Sequence, residues 1–347
     1  MSSVNDAWRS TPIPEEFLKR GAPSIATEDV PSCPVCCGSE FVVFAVGFDY
    51  ELLTCSNPWR FVQCAHCGHV WLHPRPAVEE LARIYPPTYY AYNYDSIHPI
   101  ALKAKELLDR RKITGIVRHC FRTPQSYLDV GCGNGRFLRV VEALGVPQSA
   151  LYGLELDQNI VDGLRSHGYM GVRCERAEAV DDFPENGIDL VTMFHVIEHV
   201  DNPAALIARI HRWLSPGGIF ALETPNLESW DARLFRRTYW GGYHIPRHWN
   251  LFTPGSITQL LQHNGLEVLD TLFQTGHSFW MYSMHHSVRF NGASRPRAGA
   301  WFDPTKSLVC LATFTAFDLL RGLLGAKTSS MLVICRKPAD QDKPFFP

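Results

Sequence analysis

The sequence predicts an α/β fold in which a mostly parallel sheet follows a small β module near the N-terminus. Three features indicate this arrangement. An apolar strand breaks into a glycine-rich loop at residues 127–135, further strand patterns alternate with helical spacing up to residue 336, and two cysteine pairs frame residues 33–67. Strands that alternate with helices are typical of parallel sheets.

The glycine-rich loop is the most informative stretch of the chain. Residues 127–135 read YLDVGCGNG, so a strand that ends near Asp129 runs into three glycines, Gly131, Gly133 and Gly135. Glycine has no Cβ, and this permits a sharp turn and a close approach of the backbone to a ligand. The helical spacing of residues 136–144 places a helix start, with its free N–H groups, directly after the loop.

A second strand follows at residues 151–156 and carries the acidic Glu155 near its end. In a βαβ unit, a carboxylate at the carboxyl end of the neighbouring strand can accept both hydroxyls of a ribose. The loop lacks the G-x-G-x-x-G order of dinucleotide folds and the Gly-Lys-Ser/Thr of a phosphate-binding P-loop. A nucleotide fold of another kind stays open as the alternative.

These residues resemble the first motif of the class I S-adenosylmethionine (SAM) methyltransferases. The similarity continues through Asp189–Val191 as a fourth strand, His195–Pro203 as the loop after it, and Leu214–Glu223 as a turn and fifth strand. It covers roughly residues 126–276 and returns at 331–336. The resemblance implies a Rossmann-like methyltransferase sheet, mostly parallel with an antiparallel last strand, and SAM as the cofactor.

The resemblance also implies which residues bind SAM. The residues that would contact the methionine end of SAM lie at the strand end and in the glycine loop, and they are Asp129, Gly131, Gly133 and Gly135. The ribose is assigned to Glu155. Those for the adenine follow the third strand and are Arg176, Ala177 and Glu178, where the family often has an acid followed by alanine. These last three are equally consistent with an ordinary loop.

Four cysteines predict a zinc ribbon at residues 31–75. They occur in two knuckles, C-P-V-C and C-A-H-C-G, and are Cys33, Cys36, Cys64 and Cys67. Four thiolates with this spacing can enclose a structural zinc ion at roughly 2.3 Å from each sulfur and hold a hairpin of strands 41–48 and 60–63 together. The alternatives are a redox dithiol and unligated cysteines. The remaining candidates nearby are Cys37, Cys55, His66 and His69.

Composition and charge exclude several classes of function. The formal net charge of −2 over 347 residues gives no basic face for a nucleic acid. The first residues lack the basic and apolar regions of a secretory signal, and eleven cysteines, an odd number, favour reduced thiols. We therefore expect a cytoplasmic protein with a small-molecule acceptor, without a nucleic-acid partner or transmembrane segment. A homodimer stays open.

The chain is expected to divide into four parts. They are a flexible arm at 1–30, the zinc ribbon at 31–75, an aromatic and proline-rich linker with a docking helix at 76–122, and a methyltransferase domain at 123–347. The domain contains an insertion at 277–329. We hypothesise that this insertion and the aromatic stretch 85–94 cover the acceptor, although simple packing would explain both.

An apolar stretch at residues 307–325 within the insertion is nearly long enough to span a membrane. Asp318 and Arg321 interrupt it, and a charge at the centre of a span is costly. The pattern predicts a packed or partner-facing helix, with peripheral membrane contact as a lesser alternative.

Histidines and an acid follow the fourth and fifth strands, at the edge where such sheets bind ligands. They are His195, Glu198, His199, His244 and His248. Histidine titrates near neutrality and can take a proton from an acceptor. We predict a catalytic set of His199, His248, His195 and Glu198 with a histidine as general base. A divalent-metal site and purely structural roles are the alternatives.

Two subfamilies resemble this arrangement. Zinc-binding sugar C-methyltransferases share a four-cysteine module and two histidines that look like His199 and His248, but their tyrosine and glutamate are replaced here by Ile245 and Arg247. Quinone O-methyltransferases bind magnesium through Glu-x-x-Glu-His, and here His195 replaces the first glutamate.

The resemblance implies a SAM-dependent methyltransferase that acts on a small molecule, such as a nucleotide-linked sugar or a glycan intermediate. Two alternatives stay open. One is a divalent-metal O-methyltransferase, with magnesium as a candidate ion, that acts on a phenolic or lipid-like acceptor. The other is a catalytically silent SAM-binding or zinc scaffold protein.

Overall fold

The computed structural model describes residues 7–86, 99–291, 300–303 and 307–339. Its strands are β1 Thr27–Glu28, β2 Phe41–Gly47, β3 Trp59–Cys64, β4 Val70–Leu72, β5 Arg75–Pro76, β6 Tyr127–Val130, β7 Leu151–Glu155, β8 Gly171–Cys174, β9 Ile188–Phe194, β10 Leu214–Pro225, β11 Asn250–Leu251, β12 Glu267–Gln274 and β13 Ser330–Arg336. Its helices are α1 Glu15–Arg20, α2 Leu81–Ile84, α3 Pro99–Val117, α4 Arg136–Glu142, α5 Gln158–Ser166, α6 Pro203–Trp213, α7 Trp230–Leu234, α8 Pro254–His263, α9 His277–Phe290 and α10 Leu308–Leu323.

The large sheet has the architecture that the sequence predicts. Its strands lie in the order β12-β13-β10-β9-β6-β7-β8. Strands β6 to β10 pair in parallel, whereas β13 runs antiparallel to both β10 and β12. The predicted fold class is confirmed. Strand order reverses between β6 and β9, and the carboxyl ends of these two strands therefore border the crevice where such sheets bind ligands.

Helices cover both faces of this sheet, as expected for parallel strands. One face packs against α6 and α8, through residues such as Ile207 and Leu260. The other packs against α3 and α4, through residues such as Ile113 and Leu138. Helix α8 begins after a polar cap, because the Thr253 side chain accepts the Ser256 N–H.

The cysteine module, residues 31–75, is joined to the large domain by a shared sheet. Strands β2, β3 and β4 form an antiparallel meander, and β11 adds to β4 with Asn250 opposite Trp71. Buried side chains of the module, including Trp59 and Phe61, pack with Trp240 and Trp249 of the domain. The module is therefore stabilised by an apolar core that it shares with the domain.

The N-terminal arm differs from the loosely held segment that its composition predicts. Phe17 of α1 is fully buried, with its ring centroid 5.6 Å from that of Phe48 and 6.0 Å from that of Phe290. Glu16 pairs with Arg289 of α9. These contacts anchor the described part of the arm, because burial of one phenylalanine side chain contributes about 1.5–3 kcal/mol.

The insertion supplies α9 and α10, and α9 packs against the turn Gly241–Tyr243. Most of the aromatic stretch 85–94, namely residues 87–94, lies outside the described residues. Among the described residues, no helix combines the length and the apolar character needed to cross a membrane.

Candidate functional site

The glycine loop follows β6 and adopts a backbone that only glycine allows easily. Gly131, Gly133 and Gly135 have φ values of +77°, +50° and +73°. A Cβ on Gly131 would lie 2.4 Å from Cγ2 of Val196, and one on Gly135 would lie 2.5 Å from Cδ2 of Leu164. Any other residue would therefore strain the backbone at all three positions, and it would also clash with a neighbour at Gly131 and Gly135.

Glu155 ends β7 and lies across this loop. One carboxylate oxygen accepts the Gly133 N–H at 2.8 Å, and the other accepts the Leu156 N–H at 2.7 Å. The carboxylate thus sits at the end of the strand next to the glycine loop, which is the position predicted for a ribose-binding acid.

Asp129 is the second acidic residue near the glycine loop, and its side chain is almost fully buried. Its Oδ1 accepts the Thr192 hydroxyl at 2.7 Å, while its buried Oδ2 has no hydrogen-bond partner among the described residues. Burial raises the pKa of Asp129 to about 7. A buried acceptor without a partner beside a glycine cradle fits a ligand that brings a donor, such as the ammonium group of SAM.

The three residues predicted for the adenine follow β8. Arg176 Nη2 lies 3.1 Å from Glu178 Oε1 and 3.0 Å from Asp201 Oδ2. Ala177 is buried in the core beside Leu154 and its neighbours. The charged groups of Arg176 and Glu178 are thus engaged with protein partners, and their contact with adenine stays a prediction.

The structure brings the predicted catalytic residues together. Ligating atoms of Glu198, His199 and His248 all lie within 4.8 Å of one another. The ring centroids of His199 and His248 are 4.7 Å apart, and His244 lies 4.9 Å from His248. His195 joins this cluster through its Nδ1, which is 3.2 Å from Glu198 Oε1.

His195 lies between two carboxylates and has a left-handed φ of +56°. Its Nδ1 faces Glu198 and its Nε2 is 3.5 Å from Glu223 Oε1. Burial opposes charge on the ring, but hydrogen bonds to Glu198 and Glu223 prevail and raise the pKa of His195 to about 9. The ring is therefore protonated at neutral pH, which argues against His195 as the general base and favours a charged, proton-donating role.

His248 and His199 have the opposite character. Burial lowers the pKa of both rings below the ordinary value for histidine, so both are neutral at pH 7. His248 Nδ1 is 2.8 Å from the carbonyl of Gly242, and His199 Nδ1 is 2.9 Å from the carbonyl of Arg247. A carbonyl can only accept, so each Nδ1 carries the proton and each Nε2 keeps its lone pair.

A purely structural role would differ between the two histidines. His199 would cap the next helix, and His248 would be a core histidine bonded to a carbonyl. His199 does not cap the next helix, because the Asn202 side chain accepts the Ala205 N–H at 3.0 Å and caps α6. His248 is a buried histidine bonded to a carbonyl, yet its Nε2 also lies 3.9 Å from Glu198 Oε1. A buried histidine whose pKa is lowered by burial, next to an ionised carboxylate, is typical of functional sites.

The sequence reasoning missed two acids that the cysteine module contributes. Glu51 hydrogen-bonds to His244 Nδ1. Asp49 forms a bidentate pair with Arg247, with N–O distances of 2.9 and 3.1 Å, and both side chains are fully buried. Arg247 also donates to the carbonyl of Ile84 at 2.7 Å. A weak signal existed, because Asp49 and Glu51 are two of the few charged residues between the paired cysteines.

Two further residues reach the site, one from the aromatic stretch 85–94 that is hypothesised to cover the acceptor and one from the end of the predicted fifth strand. Tyr85 places its hydroxyl 2.9 Å from His199 Nδ1, and Glu223 of β10 pairs with Lys112 of α3 as well as with His195. The signal for Glu223 was an acid within an otherwise apolar strand.

The four cysteines converge as their spacing predicts. The Cys33 and Cys67 sulfurs are 3.5 Å apart, as are those of Cys36 and Cys64, and all four lie within 4.8 Å of one another. Thiolates around one tetrahedral zinc ion stand about 3.8 Å apart, so the donor set fits zinc. His69 is not part of this group of donors, and its Nε2 bonds to Asn250 Oδ1 at 3.1 Å.

Magnesium does not suit the histidine cluster. The donors are two imidazoles and one carboxylate, from His199, His248 and Glu198. Magnesium prefers oxygen ligands and retained waters, whereas imidazole suits ions such as zinc, iron or copper. The expectation of a magnesium site is therefore not supported by this chain.

Comparisons with known proteins identify the central part of the chain. Residues 103–271 match a family described as a methyltransferase domain. A probable SAM-dependent methyltransferase from Mycolicibacterium smegmatis is 30% identical over 42% of this chain and 53% of its own length. A trans-aconitate 2-methyltransferase from Methylobacterium nodulans is 33% identical over 33% of this chain and 44% of its own length.

A third relative, the mitochondrial ubiquinone biosynthesis O-methyltransferase of Candida albicans, is 31% identical over 35% of this chain and 37% of its own length. The chain thus spans about half or less of the length of these relatives. The matched family segment contains the glycine loop, Glu155 and the histidine cluster. Residues 103–271 are therefore similar to methyltransferase domains, and one of the relatives that match this part of the chain is named as a SAM-dependent enzyme.

Proposed function

We propose that the protein transfers a methyl group from SAM to a small-molecule acceptor of the nucleotide-linked sugar or glycan-intermediate class. One observation carries this proposal. The glycine loop with Glu155 and the cluster around His248 lie beyond the carboxyl ends of adjacent strands of one sheet. A cofactor held by the loop would thus present its reactive end near groups that can accept a proton.

Bound SAM supplies an electrophilic methyl carbon on a sulfonium. The chain's task is then to hold the acceptor in line and exclude water. Gly131 and Gly133 allow the backbone to approach the methionine end, Asp129 offers its buried Oδ2 to the ammonium group, and Glu155 accepts the ribose hydroxyls.

The geometry favours His248 as general base, with His199 beside it. Its neutral Nε2 can take a proton from an acceptor hydroxyl as the methyl group is transferred. Glu198 stabilises the imidazolium that forms, because His195 holds the pKa of this buried carboxyl at about 2 and keeps it ionised. His195, itself charged, directs its two N–H groups at Glu198 and Glu223 and keeps both carboxylates ionised beside the site.

The sugar class is supported by the combination of the cysteine module with two facing histidines. Where the resembling sugar enzymes have a glutamate, this chain has Arg247, which instead fastens the module through Asp49. Carboxylates still approach the histidines, since Glu198 and Glu51 arrive from other segments. The proposal specifies the acceptor class and leaves the acceptor atom open.

A variant at His248 tests the base. His248→Ala should keep the affinity for SAM and slow methyl transfer to a panel of nucleotide-linked sugars by about 10²- to 10⁴-fold, measured as S-adenosylhomocysteine formed. His263→Ala, at an exposed histidine of α8, is the matched control. Full activity of His248→Ala would remove the base assignment, and no turnover of any sugar by the unaltered protein would remove the acceptor class.

A second candidate is a divalent-metal O-methyltransferase of a phenolic or lipid-like acceptor. The observation in its favour is the set of donors from Glu198, His199 and His248 within 4.8 Å. Nitrogen donors suit a transition-metal ion. In that case a chelator should abolish turnover while SAM binding survives, whereas the histidine-base account predicts turnover that resists brief chelation.

A further inference from the structure

Helix α10 is oriented with its charged residues inward and its leucines outward. Its buried residues are Asp318 and Arg321, the two that interrupt the apolar stretch in the sequence. Its exposed large side chains are Leu308, Val309, Leu319, Leu320, Leu323 and Leu324. The exposed fractions reach 84% for Leu323 and 87% for Leu324. This is the reverse of the usual arrangement of a surface helix.

The exposed residues form one continuous face. At 100° per residue, the six large aliphatic side chains fall within an arc of about 160° of the helix. The other exposed positions of α10 are Ala312, Thr313, Ala316, Phe317 and Gly322. None of them is charged, so the face carries no charge. Isolated exposed leucines are common on proteins, but a contiguous apolar face indicates an interaction site.

The inward face explains why the helix keeps this orientation. Asp318 accepts hydrogen bonds from the Gly276 N–H at 2.8 Å, the Trp280 indole at 3.2 Å and Arg321 at 2.8 Å. Arg321 also donates to the carbonyl of Lys327 at 3.1 Å. Rotating the helix to bury its leucines would leave these two charged groups without their partners, and that is strongly unfavourable.

Helix α7 lies beside α10 and carries exposed apolar and basic side chains. The Arg321 guanidinium lies 4.7 Å from the Trp230 ring centroid, and Trp230 and Leu234 are 55% and 69% exposed. Three exposed arginines lie on and just after α7: Arg233, Arg236 and Arg237. The nearby carboxylates do not offset them, since Glu228 pairs with Lys327, and Asp231 and Asp318 are buried.

We infer that this α7–α10 surface, formed by Trp230, Arg233, Leu234 and the exposed face of α10, docks on an anionic lipid membrane. Leucines with a tryptophan beside arginines are the composition of elements that lie in the membrane interface. The cations complement acidic headgroups. A two-fold pairing with a second copy would instead enclose the arginines of both copies in one interface, where the nearby carboxylates are already paired or buried. The inference does not depend on the proposed function.

Vesicle sedimentation of the full chain tests this docking. The protein should sediment with vesicles of equal parts phosphatidylglycerol and phosphatidylcholine, and much less with phosphatidylcholine alone. Leu320→Gln/Leu323→Gln should weaken this binding by at least about tenfold, since both side chains would enter the interface. The matched control is Leu107→Gln/Leu108→Gln, two exposed leucines of α3 that should leave binding unchanged.

Arg233→Gln should weaken binding to the anionic vesicles by about fivefold, because one interfacial cation is lost. Failure of the unaltered protein to bind anionic vesicles would overturn the inference, as would equal binding by the Leu320→Gln/Leu323→Gln variant. Concentration-dependent dimerisation that this variant abolishes, without vesicle binding, would also overturn it in favour of a second copy. Circular dichroism of each variant establishes that the fold is retained.

Discussion

The cofactor side and the acceptor side of this protein are built in different ways. The cofactor side consists of the glycine loop, Asp129 and Glu155, all within 27 consecutive residues on β6, β7 and the loop between β6 and α4. The acceptor side combines Glu51, Tyr85, Glu198 and His248, which come from distant parts of the chain. The first depends on backbone conformation and the second on long-range packing, so different substitutions should disrupt each side.

The largest expected effect is on the long-range packing. Arg247→Met leaves Asp49 buried without its cation, and breaking such a pair costs about 3–5 kcal/mol of unfolding free energy. Urea denaturation followed by tryptophan fluorescence measures this loss. The double variant Arg247→Met/Asp49→Leu should recover a large part of the stability, because no charge is then left uncompensated. If the single variant were as stable as the unaltered chain, the buried pair would not hold the acceptor side together.

The next effect is on the cofactor side. Gly131→Ala forces an alanine into a φ of +77° with its Cβ against Val196, a strain of about 1–3 kcal/mol before any ligand contact is lost. We expect the affinity for SAM, measured by isothermal titration calorimetry, to fall at least tenfold. Gly163→Ala, within α5 and with no atom near its Cβ, should bind SAM normally. Similar affinities for the two variants would argue against the loop as the cofactor cradle.

The ribose assignment has its own test. Glu155→Ala removes two hydrogen bonds from a charged acceptor and should weaken SAM binding by about tenfold to a hundredfold. Glu175→Ala, at an exposed acid close in sequence, controls for the loss of charge. Unchanged affinity in Glu155→Ala would overturn the ribose role.

The smallest effect is a pH dependence of stability at His286 of α9, a buried ring whose centroid lies 5.7 Å from that of Tyr50 in the cysteine module. Burial lowers the pKa of His286 to about 3, below its unfolded value near 6.5, so the unfolded chain binds a proton that the folded chain does not. This contribution is therefore lost as the pH falls from 6.5. The contribution of His195 has the opposite sign, since its pKa of about 9 makes its stabilisation disappear as the pH rises through 9.

Urea midpoints measured between pH 6.5 and pH 5 would detect the histidine effect. The midpoint should decline less steeply in His286→Leu than in the unaltered protein. The exposed His263→Leu should keep the original slope. An identical slope in all three proteins would show that His286 does not titrate as its burial requires.

The same contrast explains what the sequence could predict. The sheet, the glycine loop, the position of Glu155 and the limits of α8 follow from local patterns, because glycine, a strand-ending acid and a threonine cap act on their immediate neighbours. Glu51 and His244 are separated by 193 residues, and no local pattern relates them. Their contact arises only because β11 joins the sheet of the cysteine module.

The charge state of His195 and the orientation of α10 also could not be predicted from local sequence patterns. His195 is predicted as a member of the catalytic set from its residue type, but Glu198 and, from another strand, Glu223 make it a cation. In α10, the interrupting Asp318 and Arg321 predict a packed or partner-facing helix and do not determine which face turns inward. The structure buries the charges, because Gly276 and Trp280 of the preceding segment satisfy Asp318.

Native mass spectrometry tests the central claim most directly, namely that this chain binds SAM beside a zinc-bearing module. The untagged protein is purified without chelator and then incubated with SAM. The account predicts one zinc ion and one SAM molecule per chain. Zinc without SAM at saturating SAM concentration would contradict the methyltransferase account and favour a scaffold role for the chain.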